Sequence, residues 1–230
     1  MQKNRAFRLP FLFDEEKLLA DLATCLQTTW VSHFNTKDYA GEWTSISLQS
    51  KSGKSKDIYA FSGTDNAYQP TELLIQCAYF QEIIASFQAP LESIRLLNLL
   101  PNSEIKTHRD PGCCYEDGVF RLHIPITTDE KVDFVIDGER LEMQVATCWY
   151  GNFNLPHSVL HRGEKPRIHL IIDGIRNEWS DELFKQIGYD FELEKQAKQY
   201  SPETKKQMLE MLKQMNTVTA RKLIEQLEAE

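Results

Sequence analysis

Three features of this 230-residue sequence predict a mainly β fold, a sandwich or barrel with flanking helices. Between Ser93 and Asp173, short apolar runs are broken by Pro101-Asn102, Asp110-Pro111-Gly112, Asp137-Gly138, Gly151-Asn152 and Gly163-Glu164, the punctuation of short strands joined by turns. Ahead of this region apolar residues recur at intervals of three and four, which is helical spacing. Beyond Asp173 the composition becomes charged and again helical, with no internal repeat.

From the N-terminus, a basic start gives way to Phe11–Phe13 and then to Asp14-Glu15-Glu16, so no sustained apolar leader segment is formed. Asp14 reads as a helix N-cap with acidic first-turn residues, and Leu18, Leu19, Leu22, Cys25 and Leu26 follow on one face. Residues 43–50 alternate apolar and polar like a half-buried strand, followed by turn chemistry at 51–56. The Gly53-Lys54-Ser55 there is no phosphate loop, because the earlier glycine of that motif is missing. A second helix is predicted over 71–88 from Leu73, Leu74, Cys77, Phe80, Ile83, Ile84 and Phe87. In the tail, Ser201-Pro202-Glu203 reads as an N-cap with proline at the first helical position. Met208, Leu209, Leu212 and Met215 share a face there, and Leu223, Ile224 and Leu227 suggest another helix after Asn216. The methionines read as ordinary packing or as a contact in a homodimer formed through the C-terminal helices.

A net charge of −8 without a lysine/arginine stripe argues against nucleic acid as a partner. No run of about 18 apolar residues could span a bilayer. A soluble, cytoplasmic protein without a membrane partner is the expectation. Five cysteines, at 25, 77, 113, 114 and 148, are odd in number and form no CxxC pair, so reduced thiols fit better than disulfides or structural zinc.

The chemistry concentrates in the β region: His108-Arg109-Asp110, then His157 after 49 residues, then Arg167 after 10 more. In an extended segment, residues two apart share a face with Cα atoms about 6–7 Å apart, so His108 and Asp110 can reach one metal. His157 from a neighbouring strand supplies a third ligand. Two imidazoles and a carboxylate leave positions open, the ligand set of non-haem Fe(II) oxygenases, where a 2-oxo acid can chelate beside dioxygen. Arg167 opens the apolar run Ile168-His169-Leu170-Ile171-Ile172, where a buried charge needs an anion: a co-substrate carboxylate or a structural salt bridge. His169 shares its face and could assist. Arg121 and His123 share one face of 120–126 and read as lining a polar cavity or an exposed sheet face. His33 and His161 read as satisfied or surface residues.

These residues resemble the aspartyl/asparaginyl β-hydroxylase family of Fe(II)/2-oxoglutarate oxygenases, which includes bacterial proline hydroxylases. The likeness lies in Leu99-Leu100-Pro101-Asn102-Ser103-Glu104-Ile105-Lys106-Thr107-His108-Arg109-Asp110, Arg121-Leu122-His123-Ile124-Pro125, Leu155-Pro156-His157-Ser158-Val159 and Pro166-Arg167-Ile168-His169-Leu170-Ile171-Ile172-Asp173, with a weaker upstream match at Tyr39-Ala40-Gly41-Glu42-Trp43 and Leu48.

The resemblance implies a cupin-like double-stranded β-helix (jelly roll), with core strands about 93–173 inside an oxygenase domain at 1–178 and a helical extension at 179–230. It also implies iron at His108, Asp110 and His157, and the 2-oxoglutarate 5-carboxylate at Arg167. Arg121 and His123, with His169, are candidates for carboxylate contacts. Asp110 favours a hydroxylase of a small amino acid, and a derivative or peptidyl Asp/Asn/Pro-type residue is also open as substrate. The reaction implied uses dioxygen and converts 2-oxoglutarate to succinate. A non-catalytic cupin-type binding or regulatory protein is the alternative, and a metal-independent scaffold dimerising through its tail is a third. The upstream block ends Leu48-Gln49-Ser50, where family members often carry an arginine, which bears on the substrate.

Overall fold

The computed structural model describes residues 4–60, 67–198, 202–215 and 217–229. In chain order the strands are β1 (Ala6–Leu12), β2 (Val31–Ser32), β3 (Tyr39–Ala40), β4 (Trp43–Ser50), β5 (Gln69–Pro70), β6 (Leu91–Leu99), β7 (Glu104–His108), β8 (Val119–Thr127), β9 (Val132–Ile136), β10 (Glu139–Leu141), β11 (Thr147–Gly151), β12 (His157–His161) and β13 (Arg167–Ile175). The helices are α1 (Glu15–Cys25), α2 (Ala78–Ala85), α3 (Glu178–Gln186), α4 (Phe191–Lys198), α5 (Pro202–Met215) and α6 (Val218–Ala229).

The strands form two antiparallel sheets. The larger runs β1-β11-β8-β13-β6-β4-β2 with β5 beside β4, and the smaller runs β10-β9-β12-β7-β3. This is the expected jelly roll. Leu97, Leu99 and Ile171 of the larger sheet and Ile105, Phe134, Ile136 and Val159 of the smaller belong to one buried apolar cluster. Asp137 and Gly138 both take positive φ (49° and 80°), the two-residue turn that suits the right-handed twist of the β9–β10 hairpin.

Between β3 and β4 the chain crosses from the smaller sheet to the larger, and Gly41 makes this possible. Its φ is +85°, and an added Cβ would overlap Ser103. The Ser103 hydroxyl accepts from the Glu42 N–H at 2.8 Å and so ties the crossing down.

Asp14 caps α1 as expected, accepting from the Lys17 N–H, and Leu18, Leu22 and Cys25 are buried. Leu19 and Leu26 are exposed instead, so the buried stripe is narrower than its apolar pattern. The single helix expected over 71–88 is broken: a short 3-10 turn at Leu74–Gln76 precedes α2, with Cys77 in a non-helical conformation between them. Side-chain bonds explain the break. Thr71 bonds both the Ser47 carbonyl and the Leu74 N–H, and Gln81 reaches back to the Leu74 and Cys77 carbonyls. Nor is β4 half-buried, because only Thr44 and Gln49 are partly exposed. Residues 54–57 bond along it, with the Ser47 and Ser50 hydroxyls donating to the Asp57 and Lys54 carbonyls.

The chain forms two compact units, Met1–Tyr189 and Asp190–Glu230. In the first, α3 packs by stacking Phe184 on Tyr115 at 3.8 Å, beneath a capping box of Asn177 and Ser180. In the second, α5 and α6 pack together, α5 begins at Pro202 as expected, and Ser201 lies outside the described residues. Met208, Leu209 and Leu212 are partly buried there, whereas Met211 and Met215 are exposed. Among the described residues no helix is long and apolar enough to cross a membrane.

Gly41→Ala is expected to lower stability by roughly 2–4 kcal/mol, from positive-φ strain and overlap with Ser103. Urea unfolding checks this, and an unchanged midpoint would contradict the role given to Gly41.

Candidate metal centre and anion site

His108 ends β7 and His157 begins β12, and the two are register partners across the antiparallel pair. Their ring centroids lie 4.2 Å apart. Asp110 follows the end of β7, where its N–H donates to the Phe153 carbonyl at 2.9 Å. Arg109 donates to the Asn154 carbonyl and the Gly112 N–H to the Asn154 side chain, which fixes this turn against the 152–154 loop. One ligand atom from each of His108, Asp110 and His157 fits within 4.8 Å of the others, a set that can hold a metal ion.

The imidazoles are oriented for that task. Nδ1 of His108 lies 2.8 Å from the Lys106 carbonyl, and Nδ1 of His157 lies 3.0 Å from the Leu155 carbonyl. A carbonyl only accepts, so each Nδ1 carries its hydrogen and each Nε2 is left with a lone pair for a metal. Burial lowers the His157 pKa, which favours this neutral form. Burial pushes Asp110 up, but Arg121, His157 and His108 outweigh it and hold the carboxyl below its usual range.

Arg121 is engaged within the protein. Its Nη1 donates to Asp110 at 2.8 Å, while Nε and Nη2 form a fork on Asp173 at 2.6 and 3.1 Å. Arg95 of β6 donates to the same Asp173 at 3.1 Å. Three arginines (95, 121 and 167) line one cavity of about 490 Å³, and Asp110 and Asp173 pair with the first two of them. The cavity also contains the metal-ligand set, His123, Trp43, Phe134 and Phe153.

Arg167 has no ion-pair partner among the described residues. It is 2% exposed, lies over the Phe134 ring at 5.1 Å and donates to His169 Nδ1 at 3.1 Å. Burial pulls its pKa down to about 9. A buried guanidinium without a carboxylate can hold an anion. The structural salt bridge read as the alternative for Arg167 is not formed among the described residues, whereas Arg95 and Arg121 do form such bridges. His123 stacks on Phe153 and meets His169 through Nδ1 at 3.3 Å. Burial first, then Arg167, lowers the pKa of both histidines well below the ordinary value, and both Nε2 atoms are buried without a partner.

The structure brings His108, Asp110, His157, Arg121, His123 and Arg167 to one cavity, with His169 supporting Arg167 from a neighbouring one. Arg95, Asp173 and Phe153 were not singled out from sequence. Arg95 gave a readable signal, a charge inside the apolar run Ile94-Arg95-Leu96-Leu97, the same signal that marked Arg167. His33 is buried on the cavity wall and stacks on Trp43 at 3.5 Å, rather than lying at the surface. His161 is a satisfied structural residue bonded to the Lys165 carbonyl and the Gly163 N–H. Gln49 donates to the Leu91 and Glu92 carbonyls, so it braces β6 while Arg95 supplies a guanidinium to the cavity. Burial pushes the Cys113 thiol up to about 12, which leaves it protonated and unreactive.

Asp173→Ala would leave Arg95 as an uncompensated buried charge and Arg121 with Asp110 alone, with an expected loss of about 3–5 kcal/mol. Chemical denaturation checks this, and a loss under about 1 kcal/mol, the size of a surface pair, would contradict it.

The sequence model of the aspartyl/asparaginyl β-hydroxylase family matches residues 13–177. An L-proline cis-4-hydroxylase of Rhizobium meliloti (strain 1021) is 25% identical over 164 residues, which cover 70% of this chain and 57% of that protein. The chain thus spans a little over half the length of this curated relative. Among solved structures, an oxidoreductase of the 2OG-Fe(II) oxygenase family from Burkholderia pseudomallei is 15% identical, with 75% of this chain and 86% of that one covered and a TM-score of 0.49. A prolyl-4-hydroxylase from Pseudomonas putida is 11% identical, with 75% and 92% covered and a TM-score of 0.45. Both scores lie below 0.5, and the assignment rests on the sequence match over 13–177: this chain belongs to the aspartyl/asparaginyl β-hydroxylase family.

Proposed function

We propose that this protein is an Fe(II)- and 2-oxoglutarate-dependent hydroxylase. The observation that carries the reading is the pairing, in one cavity, of a preset His108-Asp110-His157 ligand set with a buried arginine that lacks a carboxylate. Nε2 of each histidine and the Asp110 carboxylate would hold the metal, and two imidazoles with one carboxylate suit Fe(II). Arg167 would take the far carboxylate of 2-oxoglutarate, supported by His169. When bound, iron with 2-oxoglutarate and dioxygen would supply the oxidation that places one oxygen atom into a substrate C–H bond, while 2-oxoglutarate loses CO2 and takes the other oxygen atom as it becomes succinate.

The protein's own part is positioning. Arg121 holds Asp110 through one arm and Asp173 through the other, which keeps the carboxylate ionised. Phe134, Phe153 and Trp43 surround the site with apolar surface that excludes water. The cavity volume is in the range of small-molecule sites. Family membership and the proline-hydroxylase relative support an amino acid or amino-acid derivative as substrate, with a peptidyl Asp, Asn or Pro-type residue as the broader class.

Purified protein with Fe(II) and ascorbate is expected to form succinate and a product heavier by one oxygen when a panel of amino acids and short peptides is screened by mass spectrometry. His108→Ala and Asp110→Ala are expected to abolish both metal binding and turnover, and full activity in metal-free His108→Ala protein would sink the assignment. Arg167→Ala is expected to weaken 2-oxoglutarate binding by about 10–100-fold, the size of a lost charge-assisted pair. Calorimetry under anaerobic conditions reads this directly. Unchanged affinity would remove Arg167 from the reading, and tight binding without succinate formation would favour a binding protein.

A further inference from the structure

Arg167 lines two cavities. One is the cavity of the metal-ligand set. The other, about 540 Å³, lies among Thr128, Val132, Phe134, Leu141, Met143 and His169. Arg167 therefore borders open space on a second side. Its neighbours hold it softly, through a ring face at 5.1 Å and a neutral imidazole at 3.1 Å. Arg121, by contrast, is clamped by two carboxylates. A long side chain held in this way can shift towards open space while keeping an ion pair with a ligand.

The second wall carries an unused donor. Because Nδ1 of His169 accepts from Arg167, its hydrogen lies on Nε2. That atom is buried, without a hydrogen-bond partner, on a residue only 1% exposed that lines the second cavity. Arg167 and His169 thus both border the second cavity. Val132, Phe134, Leu141 and Met143 add apolar surface suited to methylenes.

We infer that the co-substrate subsite continues past Arg167 and accepts a 2-oxo dicarboxylate one methylene longer than 2-oxoglutarate. This rests on the co-substrate assignment above. The extra methylene lengthens the extended chain by about 1.3 Å, a displacement that a shift of the Arg167 head absorbs. Thr128, partly exposed, is one of the residues on the wall of this second cavity.

The test is anaerobic calorimetry of the Fe(II)-loaded full-length protein with 2-oxoglutarate and with 2-oxoadipate. The expected Kd for 2-oxoadipate is within tenfold of that for 2-oxoglutarate. Thr128→Trp, which adds bulk to the second cavity, should weaken 2-oxoadipate at least tenfold more than 2-oxoglutarate, and Gln144→Trp, at another residue of its lining, provides the same test. A 2-oxoadipate Kd more than tenfold above that of 2-oxoglutarate overturns the inference, as do Trp variants that leave the ratio unchanged. Failure of 2-oxoglutarate itself to bind would instead remove the co-substrate assignment and the inference with it.

Discussion

The pairing of β12 against β7, with His157 opposite His108, sets the position of everything else in the site. Two residues 49 apart in the chain become cross-strand neighbours, and side chains at such positions point to the same face of the sheet. A slip of one residue would turn His157 away from the cavity, and the metal-ligand set would be lost with it. The register is held on the other side of β12 as well, where β9 pairs with all five of its residues. The short chain from His108 to Asp110 then carries the third ligand into place, anchored by the Phe153 carbonyl.

Charge balance forms the second layer. Asp173, at the far end of β13 from Arg167, neutralises Arg95 and Arg121 together, and Arg121 carries that restraint on to Asp110. Two of the three arginines that line the cavity are satisfied by the protein. The third, Arg167, has no ion-pair partner among the described residues, and its depressed pKa reflects burial. One strand therefore places a structural carboxylate towards one end and, in the proposed function, the cation for the co-substrate at the other.

Much of this was legible in the sequence, because its signals are local. His-x-Asp in an extended segment, a charge at the head of an apolar strand, and turn residues between short strands each carry their physical reason within a few positions. What was not legible depended on partners distant in the chain. Arg121 looked like a ligand contact because nothing local shows that Asp110 and Asp173 occupy it. The helix break at Cys77 depends on Thr71 bonding to β4, and the double-sided burial of β4 depends on residues 54–57 bonding along it. His33 gave no sequence signal, since its place on the cavity wall comes from stacking on Trp43.

The central claim is that the ligand set and Arg167 bind the two ends of one co-substrate. A crystal structure grown anaerobically with Mn(II) in place of Fe(II) and with 2-oxoglutarate tests it most directly. The account predicts a metal bonded to Nε2 of His108, to Asp110 and to Nε2 of His157, with the far carboxylate of 2-oxoglutarate on Arg167. A metal bound through Nδ1, or a far carboxylate seated on Arg121 instead, would contradict it.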